Sequence, residues 1–118
     1  MSVCIGVVGP CAAGKTTLVA KLKALGYNVR HIAQEHSYVP SMWKRIANPD
    51  ILIYLDVNYS NTLIRKNLNW TFQEYEEQLR RLAHARQHAD LIVDTNGLAE
   101  EEVLQMVINF IENWKKDR

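Results

Sequence analysis

The chain has 118 residues, 47% of them hydrophobic, which suffices for one globular core and leaves no length for a second domain. Fourteen basic residues face thirteen acidic ones, a net charge of +1, so no field of one sign steers the chain to nucleic acid or an anionic membrane. No apolar run is long enough to cross a bilayer, and the chain starts on a strand pattern rather than a signal peptide.

Residues 3–8, VCIGVV, are apolar at nearly every position, as in a strand covered on both faces. GPCAAGKTT at 9–17 follows and completes the pattern G-x-x-x-x-G-K-[ST] between that strand and a helical pattern. Gly9 and Gly14 permit backbone angles that let successive N–H groups point at a phosphate. The helix after Gly14 adds its unpaired N–H groups and the positive end of its dipole. The run Gly9, Pro10, Cys11, Ala12, Ala13, Gly14, Lys15, Thr16 and Thr17 is therefore the candidate phosphate loop. Lys15 offers charge to the outer phosphates and Thr16 a hydroxyl to Mg²⁺. The implied ligand is a nucleoside triphosphate. A bridge between Cys4 and Cys11 would distort this loop, so both read as free thiols in a reducing cytoplasm. Cys11 is expected to serve the loop through its N–H rather than as a redox sensor.

The first helix is predicted over 15–25, with Leu18, Leu22 and Leu25 on one face and Gly26 as its stop. Residues 28–35 carry polar side chains on both faces and read as an edge strand. An irregular stretch, 36–49, contains Pro40, Pro49 and one helical turn around 42–46. Tyr38, Met42, Trp43, Lys44 and Arg45 there suit an acceptor pocket or a partner patch. A plug covering the sheet is favoured, because Trp and Met on a short crossover close a core. Residues 51–57, ILIYLDV, form a buried strand, and 60–68 a short helix capped by Ser60.

Thr71 and Glu74 make a capping box, with Trp70 and Tyr75 as its hydrophobic staple. The helix they start should run to 88 with Tyr75, Leu79 and Leu82 inward. Arg86 falls on the same stripe, where an ion pair is expected. A strand over 90–94 precedes a helix over 99–114, whose first turn carries Glu100, Glu101 and Glu102 and whose end is followed by Lys115 and Lys116. Val103, Val107, Phe110 and Trp114 form its inner stripe. Strands alternating with helices predict one α/β domain over 1–118, a mostly parallel sheet between two helical layers.

The loop at 9–17, the order of elements and the ending ADLIVDTNG at 89–97 before a glutamate-led helix resemble the small P-loop kinases, the shikimate, adenylate and other nucleotide kinases. The resemblance implies ATP and Mg²⁺ as cofactors and a small-molecule or nucleotide acceptor. It implies that Glu35, at the end of the second strand, stands beside the acceptor or the metal, so Lys15 and Glu35 are the candidate catalytic pair. Leu55-Asp56-Val57 matches the triplet that ends the strand before the lid, here 58–70. Arg65 holds the place of an arginine against the adenine, and Arg80 and Arg81 those of phosphate clamps. The adenine loop is reduced to Thr95-Asn96-Gly97, with Asn96 beside the nucleotide. The family's additional strand and helical acceptor domain are absent, only 36–49 standing in that interval. The expected sheet therefore has four strands in the order 2-1-3-4.

Alternatives stay open at several residues. Glu35 is a general base or metal-water holder, or a solvated acid at a strand end. Asp56 orients Mg²⁺ with Thr16, or caps the helix from Ser60. Asp94 braces the loop 95–97 or caps. Functionally, a kinase-like phosphotransferase leads. A minimal nucleotide-binding module or slow NTPase is the alternative, since the acceptor region and the lid are short. Either a bound triphosphate stays partly solvated and turns over below about 1 s⁻¹, or a second subunit of a homodimer lends an arginine.

Overall fold

The computed structural model describes residues 3–66 and 68–118. Asn67, inside the predicted lid stretch, and Met1 and Ser2 lie outside the described residues. The elements run β1 (Cys4–Val8), α1 (Lys15–Ala24), β2 (Asn28–His31), a 3₁₀ turn (Gln34–His36), α2 (Met42–Ile46), β3 (Ile51–Asp56), α3 (Tyr59–Lys66), α4 (Phe72–His88), β4 (Leu91–Asp94) and α5 (Glu100–Lys116). All strands are parallel, in line with the alternating pattern, and their order, β2-β1-β3-β4, is the one the resemblance implied. No helix among the described residues is long and apolar enough to cross a membrane.

Alternation along the two central strands divides the core. Ile5 and Val7 of β1 and Ile51, Ile53 and Leu55 of β3 face α1 and α5, where Leu18, Val19, Leu22, Val103, Val107 and Ile111 meet them. Val8, Leu52 and Tyr54 face the other way, toward Leu82 and Ala85 of α4. Fifteen buried residues build the first cluster and only seven the second, so the second depends on each of its members. Trp43 of α2 is one of them. Its indole N–H donates to His84 Nδ1 at 3.0 Å, and its N–H donates to Gln34 Oε1 at 2.8 Å. Trp43 is thus the plug over the sheet, while Tyr38 and Ile46 beside it stay exposed.

Several local expectations are corrected. β2 ends at His31 instead of running to 35. After Ile32 has donated to Val7 O, the Gln34 carboxamide binds Val39 O and Arg81 O and turns the chain off the sheet edge. Leu25 is 58% exposed, because α1 ends at Ala24 and Gly26 turns away. Ser60 lies inside α3; the cap is Asn58, whose Oδ1 accepts from the Asn61 N–H at 2.8 Å. Asp56 does not cap that helix, since its carboxylate accepts from the adjacent Val57 N–H. On α5, Ile111 is fully buried while Phe110 and Trp114 pack at the cluster's margin. Leu79 is only half-buried on α4, and Gln78 takes the buried position.

Other expectations stand. Thr71 and Glu74 form both halves of the capping box, and the Trp70 and Tyr75 rings meet edge-on with centroids 5.9 Å apart. Arg86 pairs with Asp56 at 3.7 Å, in a half-exposed rather than buried setting. Cys4 and Cys11 are free thiols.

Because the smaller cluster leans on one indole, Trp43→Ala is expected to lower the unfolding free energy by about 3–5 kcal/mol. Ile46→Ala, on the exposed side of α2, should change it by no more than about 0.5 kcal/mol. Urea denaturation of both variants checks this, and equal losses would show that the segment closes nothing.

Candidate functional site

The loop between β1 and α1 is shaped by backbone demands that only some residues meet. At Gly9, φ is +156° and a Cβ would lie 2.3 Å from Leu55 O, so the close approach of β3 excludes any side chain. Ala12 has φ 68°, an uncommon left-handed setting for a residue with a side chain. Gly14, with φ 98°, is the N-cap of α1 and gives it no side-chain cap. Among the described residues, the N–H groups of Gly14, Lys15, Thr16 and Thr17 have no hydrogen-bond acceptor. Four donors at the positive end of a helix suit an anion.

Lys15 turns back over this loop. Its ammonium donates to Gly9 O at 2.6 Å and Pro10 O at 3.0 Å and pairs with Glu35 Oε2 at 2.8 Å. Both residues are almost wholly buried, Lys15 at 6% exposure and Glu35 at 3%. Glu35 sits on the 3₁₀ turn, not at a strand end, and its Oε1 is buried with no partner among the described residues. The expectation of a solvated acid therefore fails. His36 Nε2 lies 3.8 Å from Glu35 Oε2 with its ring mostly in solvent. Arg81 donates to Glu35 O at 3.3 Å, pairs with Glu77 and lies 4.3 Å over the Tyr38 ring, so it braces the turn.

Two cavities open beside the loop. The smaller, about 220 Å³, is lined by Lys15, Thr16, Glu35, His36, His31 and Cys11. The larger, about 490 Å³, runs between α1 and α5, with Ala13, Leu18, Leu98 and Val103 as apolar wall and Lys21, Arg65 and Thr95 among its polar groups. Ala12, Gly14, Thr17 and Lys66 border both, so the two spaces meet across the loop. Their volumes suit a nucleoside and a chain of phosphates. Thr16 is exposed at the smaller space, where it can meet a cation.

The remaining predicted residues divide. Arg65 reaches the site: it donates to Thr95 Oγ1 at 2.9 Å, Thr95 O at 2.6 Å and Ala12 O at 3.3 Å, tying α3 to both loops. Arg80 does not reach it. Its guanidinium pairs with Glu77 on the exposed side of α4 and lines neither cavity. Asn96 also borders neither; its Oδ1 accepts from the Asn58 N–H and the Asn61 amide, which makes it a clamp between β4 and α3. Asp56, paired with Arg86, lines neither cavity, so Thr16 has no aspartate partner from that strand. Asp94 accepts from the Asn96 N–H at 3.0 Å and braces the loop as expected.

Gln78 is a site residue that pattern reading missed. From the buried face of α4 it accepts the Cys11 N–H at Oε1, 3.0 Å, and donates from Nε2 to Cys11 Sγ at 3.1 Å. Cys11 thus spends its N–H on Gln78 rather than offering it to a ligand. The available signal was a glutamine on an otherwise apolar stripe, since a buried amide needs partners. Nothing in a comparison with protein-family models or with curated proteins matches this chain.

A buried pair of this kind is costly to break but not necessarily costly to replace. Glu35→Gln should lower stability by about 3 kcal/mol, because the Lys15 ammonium stays buried without its counter-charge. The double variant Lys15→Met/Glu35→Leu should recover part of that loss. Urea denaturation of the parent, Lys15→Met, Glu35→Leu and the double variant in a double-mutant cycle measures the coupling, and strictly additive losses would contradict it. His31, beside the pair, is held below its ordinary value of 6.5 by partial burial first and by the Lys15 charge second, with Glu35 opposing. Its neutral form is therefore favoured in the folded state. The stability it contributes is complete above about pH 6.5 and is lost as pH falls from there toward its folded pKa, because the unfolded chain takes up the proton first. An NMR titration of the His31 ring should show the lowered midpoint. His31→Asn should flatten the stability slope between about pH 7 and 5.5.

Proposed function

We propose that this chain is an ATP-binding P-loop protein, a Mg²⁺-dependent kinase-like phosphotransferase acting on a small-molecule or nucleotide acceptor. The observation that carries the reading is the Lys15 ammonium held between two loop carbonyls and the Glu35 carboxylate at the small cavity. Lys15 lines that cavity, and its ammonium would exchange the two carbonyls for an entering phosphate. The four free N–H groups at the start of α1 bind the inner phosphates, and the apolar wall between α1 and α5 takes the base. Arg65, already fixed by Thr95, borders the ribose or base side.

The residues fit Mg²⁺ through the Thr16 hydroxyl and the unpartnered Glu35 Oε1, the latter through a water. When bound, the ion neutralises charge on the transferring phosphoryl group and its flanking oxygens. Glu35 is also placed to accept the proton of an attacking hydroxyl. A cytoplasmic setting agrees with free thiols at Cys4 and Cys11.

One observation favours the second reading, a nucleotide-binding module or slow NTPase with no acceptor. Trp43 fills the place over the sheet where an acceptor element would stand, and neither cavity reaches α2. The two readings separate in a coupled assay for ADP release against nucleosides, nucleotides and small hydroxylated acids. A transferase shows release that rises with an acceptor; a module shows binding alone.

Both share one test. Mg²⁺ with ATP at about a hundred times its Kd should stabilise the protein by about 2.7 kcal/mol, a rise in Tm of several degrees. Lys15→Ala should weaken nucleotide binding at least about tenfold, roughly 1.4 kcal/mol. A thermal scan and calorimetric titration check this, and unchanged affinity in Lys15→Ala would defeat the nucleotide reading.

A further inference from the structure

Three side chains at the small cavity offer metal-ligating atoms, and one of them, Glu35, would be shared with the Mg²⁺ role proposed above. Cys11, Glu35 and His36 each offer one ligand atom, and these atoms lie within 4.8 Å of one another. They come from two crossovers, Cys11 from the loop after β1 and the other two from the turn after β2. Glu35 Oε2 is taken by Lys15, yet Oε1 is buried without a partner among the described residues. A buried carboxylate oxygen left without a partner is costly unless something fills its lone pairs.

We propose that Cys11, Glu35 and His36 form a binding site for a d-block dication of the zinc class. A thiolate, an imidazole and a carboxylate are the donor set such an ion prefers, whereas Mg²⁺ avoids sulfur and demands oxygen. Tetrahedral donors at about 2.0–2.3 Å from the metal stand about 3.3–3.8 Å apart, so the three atoms must close by roughly 1 Å. His36 can supply that movement, because 60% of its side chain is in solvent. The fourth position then opens to water on the His36 side. Glu35 bridges the metal through Oε1 and the Lys15 ammonium through Oε2. The Gln78 N–H on Cys11 Sγ becomes the outer-shell donor that orients the thiolate. One proton leaves the Cys11 thiol on binding, and no electron moves. The site requires no nucleotide, so it stands or falls apart from the proposed function.

Cobalt(II) is the probe, added to the untagged 118-residue chain. One equivalent should give the visible bands of a tetrahedral site together with a near-ultraviolet sulfur-to-metal charge-transfer band, both removed by one equivalent of Zn²⁺. Cys11→Ser should abolish the sulfur band, and His36→Ala should weaken Co²⁺ binding at least about tenfold. His36 is exposed, so that variant tests the site even where Cys11→Ser perturbs the loop. Zn²⁺ should also raise the Tm of the parent and not of either variant, since the metal ties two crossovers together. A competing pair exists on α4, where the His84 and His88 rings lie 4.3 Å apart. Co²⁺ binding that lacks a sulfur band and disappears in His88→Ala would assign the metal there and overturn the proposal, as would no binding at all.

Discussion

A lysine at the first turn of α1 carries its ammonium away from solvent, and the arrangement around it follows from that one cost. Two loop carbonyls, Gly9 O and Pro10 O, solvate the ammonium in part but bring no negative charge. The counter-charge has to arrive from elsewhere, and Glu35 supplies it from the next crossover. Parallel pairing of β2 with β1, with Val7 opposite His31, sets the two crossovers side by side at the carboxyl ends of the strands. The short β2 and the Gln34 hydrogen bonds that end it then drop Glu35 onto the lysine. Had β2 run on to residue 35, Glu35 would have stayed on the sheet edge.

The same end of the sheet is braced from the other crossovers. Gln78 of α4 grips Cys11 through both its N–H and its sulfur, and Arg65 of α3 grips Ala12 and Thr95. Asn96 then ties the loop after β4 to α3. Each strand therefore delivers its following loop to one place, the crevice at the carboxyl ends where open α/β sheets bind ligands. The result is a loop whose unpaired N–H groups are held in place by contacts from α3 and α4. The polar groups of the small cavity are not all satisfied internally, and the open valence on Glu35 is where chemistry is to be expected.

Reading along the chain recovered what depends on neighbours a few residues apart. The glycine-rich loop, the capping box at Thr71 and the buried runs of β1 and β3 are stretches whose backbone angles and side-chain period belong to the stretch itself. Strand order matched what the resemblance implied once the family's additional strand is left out, and the parallel pairing agrees with right-handed crossovers. Errors gathered where a partner lies far off in sequence. Arg80 and Arg81 are adjacent and alike in composition, yet one faces solvent and the other lies under Glu35's turn. Asn58 rather than Ser60 caps α3, and Asn58 itself is held by Asn96 from the loop after β4.

What the sequence alone determined is thus the glycine-rich loop, its lysine and the α/β/α layering, since backbone permission and hydrophobic period are local properties. Tertiary structure decided which polar groups are buried and whom they meet: Glu35 on Lys15, Gln78 on Cys11, Arg65 on Thr95. The physical reason is that a polar side chain's partner is set by which crossovers are brought together. The cost of an unpaired buried charge arises only once the sheet has closed around it.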